Sequence, residues 1–392
     1  MPMTNTARRY GTVTKTFHWL TALLIFANIA LGLIAQDLSP ETQLALKAQV
    51  FTIHKTLGLA IFAVAILRIL WAVTQQKPAH LHPDRTAETF AAELVHWVLY
   101  ASLVVIPLSG WITHAATEGF APIWWPFPQN LPGLVENEAV AAIASTAHWL
   151  ANWMLAIAIV LHIAGALKHH VLDRDPTLRR MWFGRTEAGG AAPHRTGPAL
   201  PAAAALYTLA AVAVVGLSAD SLVRPEAQAS GPTAGAGNWT VQSGSLAIEV
   251  MQFGNAVDGG FGQWSADIDF SEETGEGQVT VRVDVFSLTL GSATEQALGP
   301  AYFAAEDHPE AVFEGAITPD GDGYVATGPL SLAGESTDVT LPFTLTIDGD
   351  TARMEGETTL DRLSFGIGES QDAGTLGLDV PVRVTLTATR AE

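Results

Sequence analysis

The pattern of apolar and polar positions changes period midway along the 392-residue chain. The first half carries five long apolar runs, at about 17–35, 51–73, 90–115, 139–170 and 200–223. Each is as long as a helix that crosses a bilayer core. The second half alternates apolar and polar residues over short stretches with turn residues between them. The pattern predicts strands at 245–253, 278–288, 311–318, 323–332, 338–347, 351–360 and 380–389. Many short antiparallel strands without helical segments imply a sandwich or a closed barrel. Residues 224–238, rich in Pro, Ala and Gly, read as a linker.

Charge follows the same division. Residues 1–223 hold 14 of the 20 Lys and Arg and 12 of the 39 Asp and Glu, whereas 224–392 hold no lysine and 27 acidic residues. An acidic soluble half argues against nucleic-acid binding. The absence of cysteine removes disulfides, thiolate-held iron–sulfur clusters and thioether-linked haem. No repeat of solenoid or propeller period is present. Basic residues concentrate before the first run, between the second and third, and after the fourth. By the positive-inside rule these segments are cytoplasmic, which puts the N-terminus inside and residues 224–392 outside, in the periplasm of a two-membrane bacterium. Lys47 and Lys55 run against the bias without outweighing it. The loop 116–138 lacks Lys and Arg and carries Trp124, Trp125 and Phe127, as an interfacial aromatic belt does. The first run is not followed by a small-residue cleavage site. Ala227-Gln228-Ala229, beyond the fifth run, is a small-x-small site at which cleavage would release the soluble half.

Candidate chemistry sits in the fourth run. His148 and His162 are fourteen residues apart, close to four helical turns, so they share a face about 21 Å apart along the axis. His18 opens the first run and His54 the second. Alternating helix directions match the depth of His18 to that of His162, and of His54 to that of His148. An imidazole in lipid is costly unless it is used. Two depth-matched pairs predict two metal centres stacked across the membrane. Zinc fits less well, because each level offers two nitrogens where zinc takes four ligands.

On Thr16-Phe17-His18-Trp19, Ile53-His54-Lys55-Thr56-Leu57-Gly58, His148-Trp149 and Leu161-His162 with Lys168-His169-His170, residues 8–182 resemble the bacterial di-haem cytochrome b561 family. The resemblance implies two non-covalent, bis-histidine haem b groups, outer-sphere electron transfer with the quinone pool, and a periplasmic electron donor or acceptor, superoxide for some members. Arg68, fourteen residues after His54, lies at the level of His18 and His162 and either pairs with a haem propionate or snorkels to the headgroups. Gly58, Gly110 and Gly165 either admit the macrocycle or allow close helix packing. His96 with Glu93 is either a proton relay or an interfacial pair. His169 and His170 read as surface groups. His80, His82, His114, His194 and His308 suggest no partner.

On Asn238-Trp239-Thr240-Val241, Gly260-Phe261-Gly262-Gln263-Trp264, Tyr302-Phe303, His308-Pro309-Glu310-Ala311-Val312-Phe313 and Thr340-Leu341-Pro342-Phe343, residues 238–392 resemble the YceI-like family. That resemblance implies a lipocalin-like antiparallel barrel around a polyisoprenoid chain. Because the tail of a respiratory quinone is itself a polyisoprenoid, the fusion suggests ubiquinone or another isoprenoid lipid as the occupant. The segment 289–298 departs from the family pattern. Phe253, Phe286, Phe313 and Phe343 are expected to point inward, and no residue set in this half looks catalytic. The expected architecture is an all-α transmembrane four-helix bundle (8–182), a linker region with an extra transmembrane helix (183–237), and an all-β barrel (238–392). The rival reading is a non-redox, membrane-anchored lipid-binding protein. Anchoring needs one span and no buried histidine.

Overall fold

The computed structural model describes residues 2–117, 121–135, 137–188, 197–218 and 232–391. His194 and the Ala227-Gln228-Ala229 site lie outside them. The chain divides into two compact units, one of Met1–Gln36, Val50–Thr117 and Ile123–Val223, the other of Asp37–Gln49, Glu118–Pro122 and Arg224–Glu392.

In the first unit the apolar runs form helices α1 (Thr12–Asp37), α2 (Leu44–Val73), α3 (Thr86–Ala116) and α4 (Glu138–Val171). A short α5 (Thr177–Met181) and the fifth apolar helix, α6 (Ala199–Leu217), follow. All but α5 are long and apolar enough to cross a membrane. Their outward faces carry exposed Leu23, Phe26, Ile157 and Val160, surface that is stable only against lipid. Asn137 caps α4, its Oδ1 accepting from the Val140 N–H at 2.9 Å. Helices α3 and α4 are the closest-packed pair, and α6 lies against both. The Tyr207 hydroxyl of α6 meets Ser102 Oγ (2.7 Å) and the Val98 carbonyl (3.1 Å) of α3, so neither group is left unpaired in the bundle.

The second unit is a β-barrel. Its strands are β1 (Thr233–Gly237), β2 (Trp239–Gln252), β3 (Asn255–Phe261), β4 (Trp264–Ser271), β5 (Glu276–Asp284), β6 (Leu288–Thr289), β7 (Glu310–Asp320), β8 (Gly323–Leu332), β9 (Glu335–Asp348), β10 (Thr351–Asp361) and β11 (Asp379–Arg390). Eight antiparallel strands run β4-β5-β7-β8-β9-β10-β11-β2, and the pair Trp239↔Ile268 closes the ring. Closure removes the sheet edges that would otherwise pair with other chains. Strand β3 extends from the far half of β2, with β6 beside it. Period-two alternation sends Leu341, Phe343, Leu345 and Ile347 of β9 into the lumen.

Four strands lie beyond the seven expected: β1, inside the presumed linker, β3, β4 and β6. The 278–288 stretch also breaks. After Asp284 the chain makes a 3₁₀ turn at Val285–Ser287, with the Asp284 carboxylate accepting from the Phe286 N–H at 2.9 Å. The turn throws Phe286 outward, 53% exposed, against the inward expectation. Phe253 sits in the β2–β3 turn at φ 51°. Phe313 and Phe343 do line the lumen.

One end of the barrel is organised by Arg362, 3% exposed. Its guanidinium donates to five backbone carbonyls, those of Gly377 (2.9 Å), Ile367 (2.8 Å), Gly368 (2.6 Å), Gln371 (2.8 Å) and Leu376 (3.1 Å). Every donor position of the fork is used on an irregular segment that has no ladder of its own.

Candidate haem sites and barrel cavity

Three helices carry the four membrane histidines: His18 on α1, His54 on α2, and His148 and His162 on α4. At one end of the bundle, the His18 ring of α1 and the His162 ring of α4 lie 6.0 Å apart between centroids, inclined at 56°. Local contacts hold α1 there. Lys15, almost fully buried, donates to the carbonyls of Trp182 (2.8 Å) and Gly184 (3.1 Å), and Trp19 Nε1 donates to the Met181 carbonyl at 2.9 Å. Arg68 lies within electrostatic range of both rings, its guanidinium 5.3 Å from the centroid of the Tyr100 ring.

At the other level, His54 of α2 and His148 of α4 are within electrostatic range of each other. Each is held by the same device. His54 Nδ1 meets the Asn28 carbonyl of α1 at 3.0 Å, and His148 Nδ1 meets the Ile106 carbonyl of α3 at 2.9 Å, with Ser109 Oγ 3.3 Å away. Four residues beyond each carbonyl stands a glycine. A Cβ on Gly32 would lie 3.0 Å from His54 Cε1, and one on Gly110 would lie 3.1 Å from His148 Cε1. The missing side chains let each ring reach a carbonyl of the neighbouring helix. An Nδ1–H donated to that carbonyl leaves the Nε2 lone pair available to ligate a metal.

The sequence pointed to Gly110 but not to Gly32, and Gly58 and Gly165 face no imidazole. It also missed Arg180 of α5, 6% exposed. The Arg180 guanidinium packs over the Tyr10 ring at 5.5 Å and donates Nη1–H to the Ala79 carbonyl at 3.1 Å. Its Nε and Nη2 have no partner among the described residues. These two atoms form one edge of the fork, the geometry that receives a carboxylate. Arg180 precedes Met181, whose carbonyl holds Trp19 beside His18. The only sequence signal was a basic run after α4, which reads equally well as orientation charge.

His96 and Glu93 do not form a hydrogen-bonded pair. Glu93 is bonded to His80 at 3.0 Å, while His96 Nδ1 meets the Ala92 carbonyl at 2.6 Å and its ring stands 5.0 Å edge-on from that of His162. His114 bridges Lys55 Nζ (3.3 Å) and Gln129 Oε1 (3.1 Å).

The barrel encloses a cavity of about 290 Å³, lined by apolar side chains such as Val281, Phe313, Phe343, Met354 and Leu386. A cavity of this volume and lining suits one slender apolar chain.

Comparison with known proteins agrees with both halves. Residues 9–184 match the family model for prokaryotic cytochrome b561, and residues 239–388 match that for the YceI-like domain. Cytochrome b561 homolog 2 of Escherichia coli K12 is 34% identical over 185 residues, 46% of this chain and 95% of that protein. A protein of Yersinia pestis described as "Probable superoxide oxidase CybB" is 27% identical over 179 residues, 44% of this chain and 96% of its own length. Among solved structures, that of Burkholderia cenocepacia BcnA is 29% identical, covers 37% of this chain and 96% of its own, and has a TM-score of 0.36. The chain belongs to the prokaryotic cytochrome b561 family and carries a YceI-like domain in its C-terminal half.

Proposed function

We propose that this protein is a two-haem electron carrier of the cytoplasmic membrane with a lipid-binding barrel on the periplasmic side. The observation that carries the reading is the 6.0 Å spacing of the His18 and His162 rings. An imidazole nitrogen stands about 2 Å from a metal and about 1 Å from its own ring centroid, so two rings sharing one ion stand about 6 Å apart. Packing alone brings aromatic rings to such distances too, but here the orphaned Nε and Nη2 of Arg180 add a buried demand for an acidic partner.

In this reading His18 and His162 hold one haem b, and His54 and His148 hold the other. Bound haem would supply reversible one-electron chemistry. The protein's part is to orient and insulate. Asn28 and Ile106 fix the tautomer of His54 and His148 through their carbonyls. Arg180, with Arg68 nearby, supplies positive charge for the propionates at the other level. Electrons pass between a quinone near one face and a periplasmic donor or acceptor, superoxide being the candidate suggested by the Yersinia relative. The barrel holds an isoprenoid lipid, and the isoprenoid tail of a quinone would fit its cavity. Residues 8–182 are then the redox domain, 183–237 the connecting region and 238–392 the barrel.

The test is a reduced-minus-oxidised spectrum with haem quantitation on the purified full-length protein, followed by lipid extraction and mass spectrometry. Two haem b per chain are expected, falling to about one in His18→Leu and in His148→Leu. A colourless preparation that still yields an isoprenoid would leave only the tethered lipid-binding protein.

A further inference from the structure

The helical unit contains a side-chain cluster that the haem reading does not use. Asp175, in the turn after α4, has a side chain only 9% exposed. Its Oδ1 accepts from the Thr177 N–H at 2.8 Å. Its Oδ2 faces two imidazoles: Nδ1 of His169, at the end of α4, at 2.7 Å, and Nε2 of His82, in the α2–α3 loop, at 3.0 Å. The two rings are parallel to within 2°, with centroids 6.1 Å apart. The three donor atoms fall within 4.8 Å of one another.

We propose that His82, His169 and Asp175 form a binding site for a divalent transition ion of the zinc class. Two neutral nitrogens and a carboxylate oxygen are a common donor set for an ion that keeps an open position for water. Donor atoms around a tetrahedral ion at about 2.0–2.1 Å stand about 3.3 Å apart, so the two oxygen–nitrogen spacings of 2.7 and 3.0 Å would widen by about half an ångström to admit one. The neighbouring charges leave room for the ion. Arg85 (3.2 Å) and Lys168 (2.9 Å) pair with Asp173, and both also contact Glu88, so two cations stand against two carboxylates. Arg180, which lies within electrostatic range of Asp175, donates its Nη1–H to the Ala79 carbonyl. Asp175 itself is bonded to one amide and two imidazoles. Burial alone would raise its pKa, but hydrogen bonds from Thr177, His82 and His169 outweigh it and hold the carboxyl well below the usual range, ready to ligate.

A second grouping shares His169: Glu88, His169 and Asp173. Its carboxylates are already neutralised by Arg85 and Lys168, and Glu88 is exposed, so the His82 grouping is the stronger one. A bound ion would tie the α2–α3 loop to the end of α4. His169 stands two helical turns, about 10 Å, beyond His162, so the ion's charge would act on the nearer haem.

The experiment uses the full-length holoprotein with both haems in place, so that zinc cannot occupy the haem ligands. Chelator-treated protein is titrated with Zn²⁺ by calorimetry, and X-ray absorption is recorded on the wild-type complex. One equivalent is expected, with two imidazoles in the coordination shell. His82→Gln and Asp175→Asn should each weaken binding at least about tenfold, while Glu88→Gln leaves it unchanged. Haem content of the variants reports their folding, and the wild-type absorption data stand even if a variant fails to fold. Absence of a stoichiometric site, a shell with fewer than two imidazoles, or loss of binding in Glu88→Gln but not in Asp175→Asn would each overturn the assignment.

Discussion

Gly32 and Gly110 show how much one missing methyl can decide. Each occupies a helix interior, where glycine costs about 1 kcal/mol relative to alanine. Each faces an imidazole whose Cε1 lies 3.0–3.1 Å from the position of an added Cβ. Ordinary carbon contacts begin at about 3.5 Å, so alanine would push the ring off the carbonyl that orients it. Gly32→Ala and Gly110→Ala should therefore leave the helices as stable as before, or more so, while disturbing one centre. The expected outcome is a haem content approaching one per chain, or a displaced midpoint potential for one haem only. Circular dichroism melts paired with redox titration separate this from a general packing defect. If both variants keep two haems at unchanged potentials, the glycines serve helix packing and nothing else.

At the scale of elements, the sequence displayed period more clearly than partnership. The fourteen-residue spacing of His148 and His162 is a property of one helix, so it was legible. The carbonyls of Asn28 and Ile106, the contacts of His82 and the position of Arg180 depend on which helices meet, and no local pattern encodes that. In the barrel, β4 carries a clear alternation, with Trp264, Ala266 and Phe270 buried, yet its small Ala266 and its aspartates Asp267 and Asp269 weaken the strand signal. Strand β1, with the sequence Thr-Ala-Gly-Ala-Gly, lies inside the stretch 224–238 whose composition reads as linker. The glycines are there for fit: a Cβ on Gly235 or Gly237 would overlap the backbone of β4 at Ala266 or Ile268.

That parallel pairing has a pH signature. Asp267 accepts from the Ala236 N–H at 2.6 Å and from Arg282 at 2.9 Å. Those two partners, the backbone N–H foremost, hold its carboxyl below the usual range. A depressed folded-state pKa contributes stability that is fully present above the unfolded value, about 4, and is lost as pH falls through the folded one. Asp267→Asn should thus lower the melting temperature of the barrel at neutral pH, and the gap to wild type should close in acid below about pH 4. A gap that stays constant down to pH 2 would mean that the charge of Asp267 plays no part in seating β1.

For the molecule as a whole, the uneven charge makes a claim about sidedness. Eleven of the 14 basic residues of the first 223 lie before the first apolar run, between the second and third, or from the end of the fourth onward, and the last 169 residues carry 27 acidic groups against six arginines. Lysine and arginine flanking apolar helices are retained on the cytoplasmic side. If all five helices that are long and apolar enough among the described residues do cross, the odd number of crossings would carry the C-terminal half to the opposite face from the N-terminus. Protease added to intact spheroplasts should then remove an antibody tag placed at the C-terminus and spare one at the N-terminus, with the reverse in inside-out vesicles. If α6 instead lay along the membrane surface, both tags would be cut only in inside-out vesicles. The barrel would then stand on the cytoplasmic side, where it could not exchange a lipid with a periplasmic partner. The two tags therefore decide which surface the barrel serves, whatever its cavity binds.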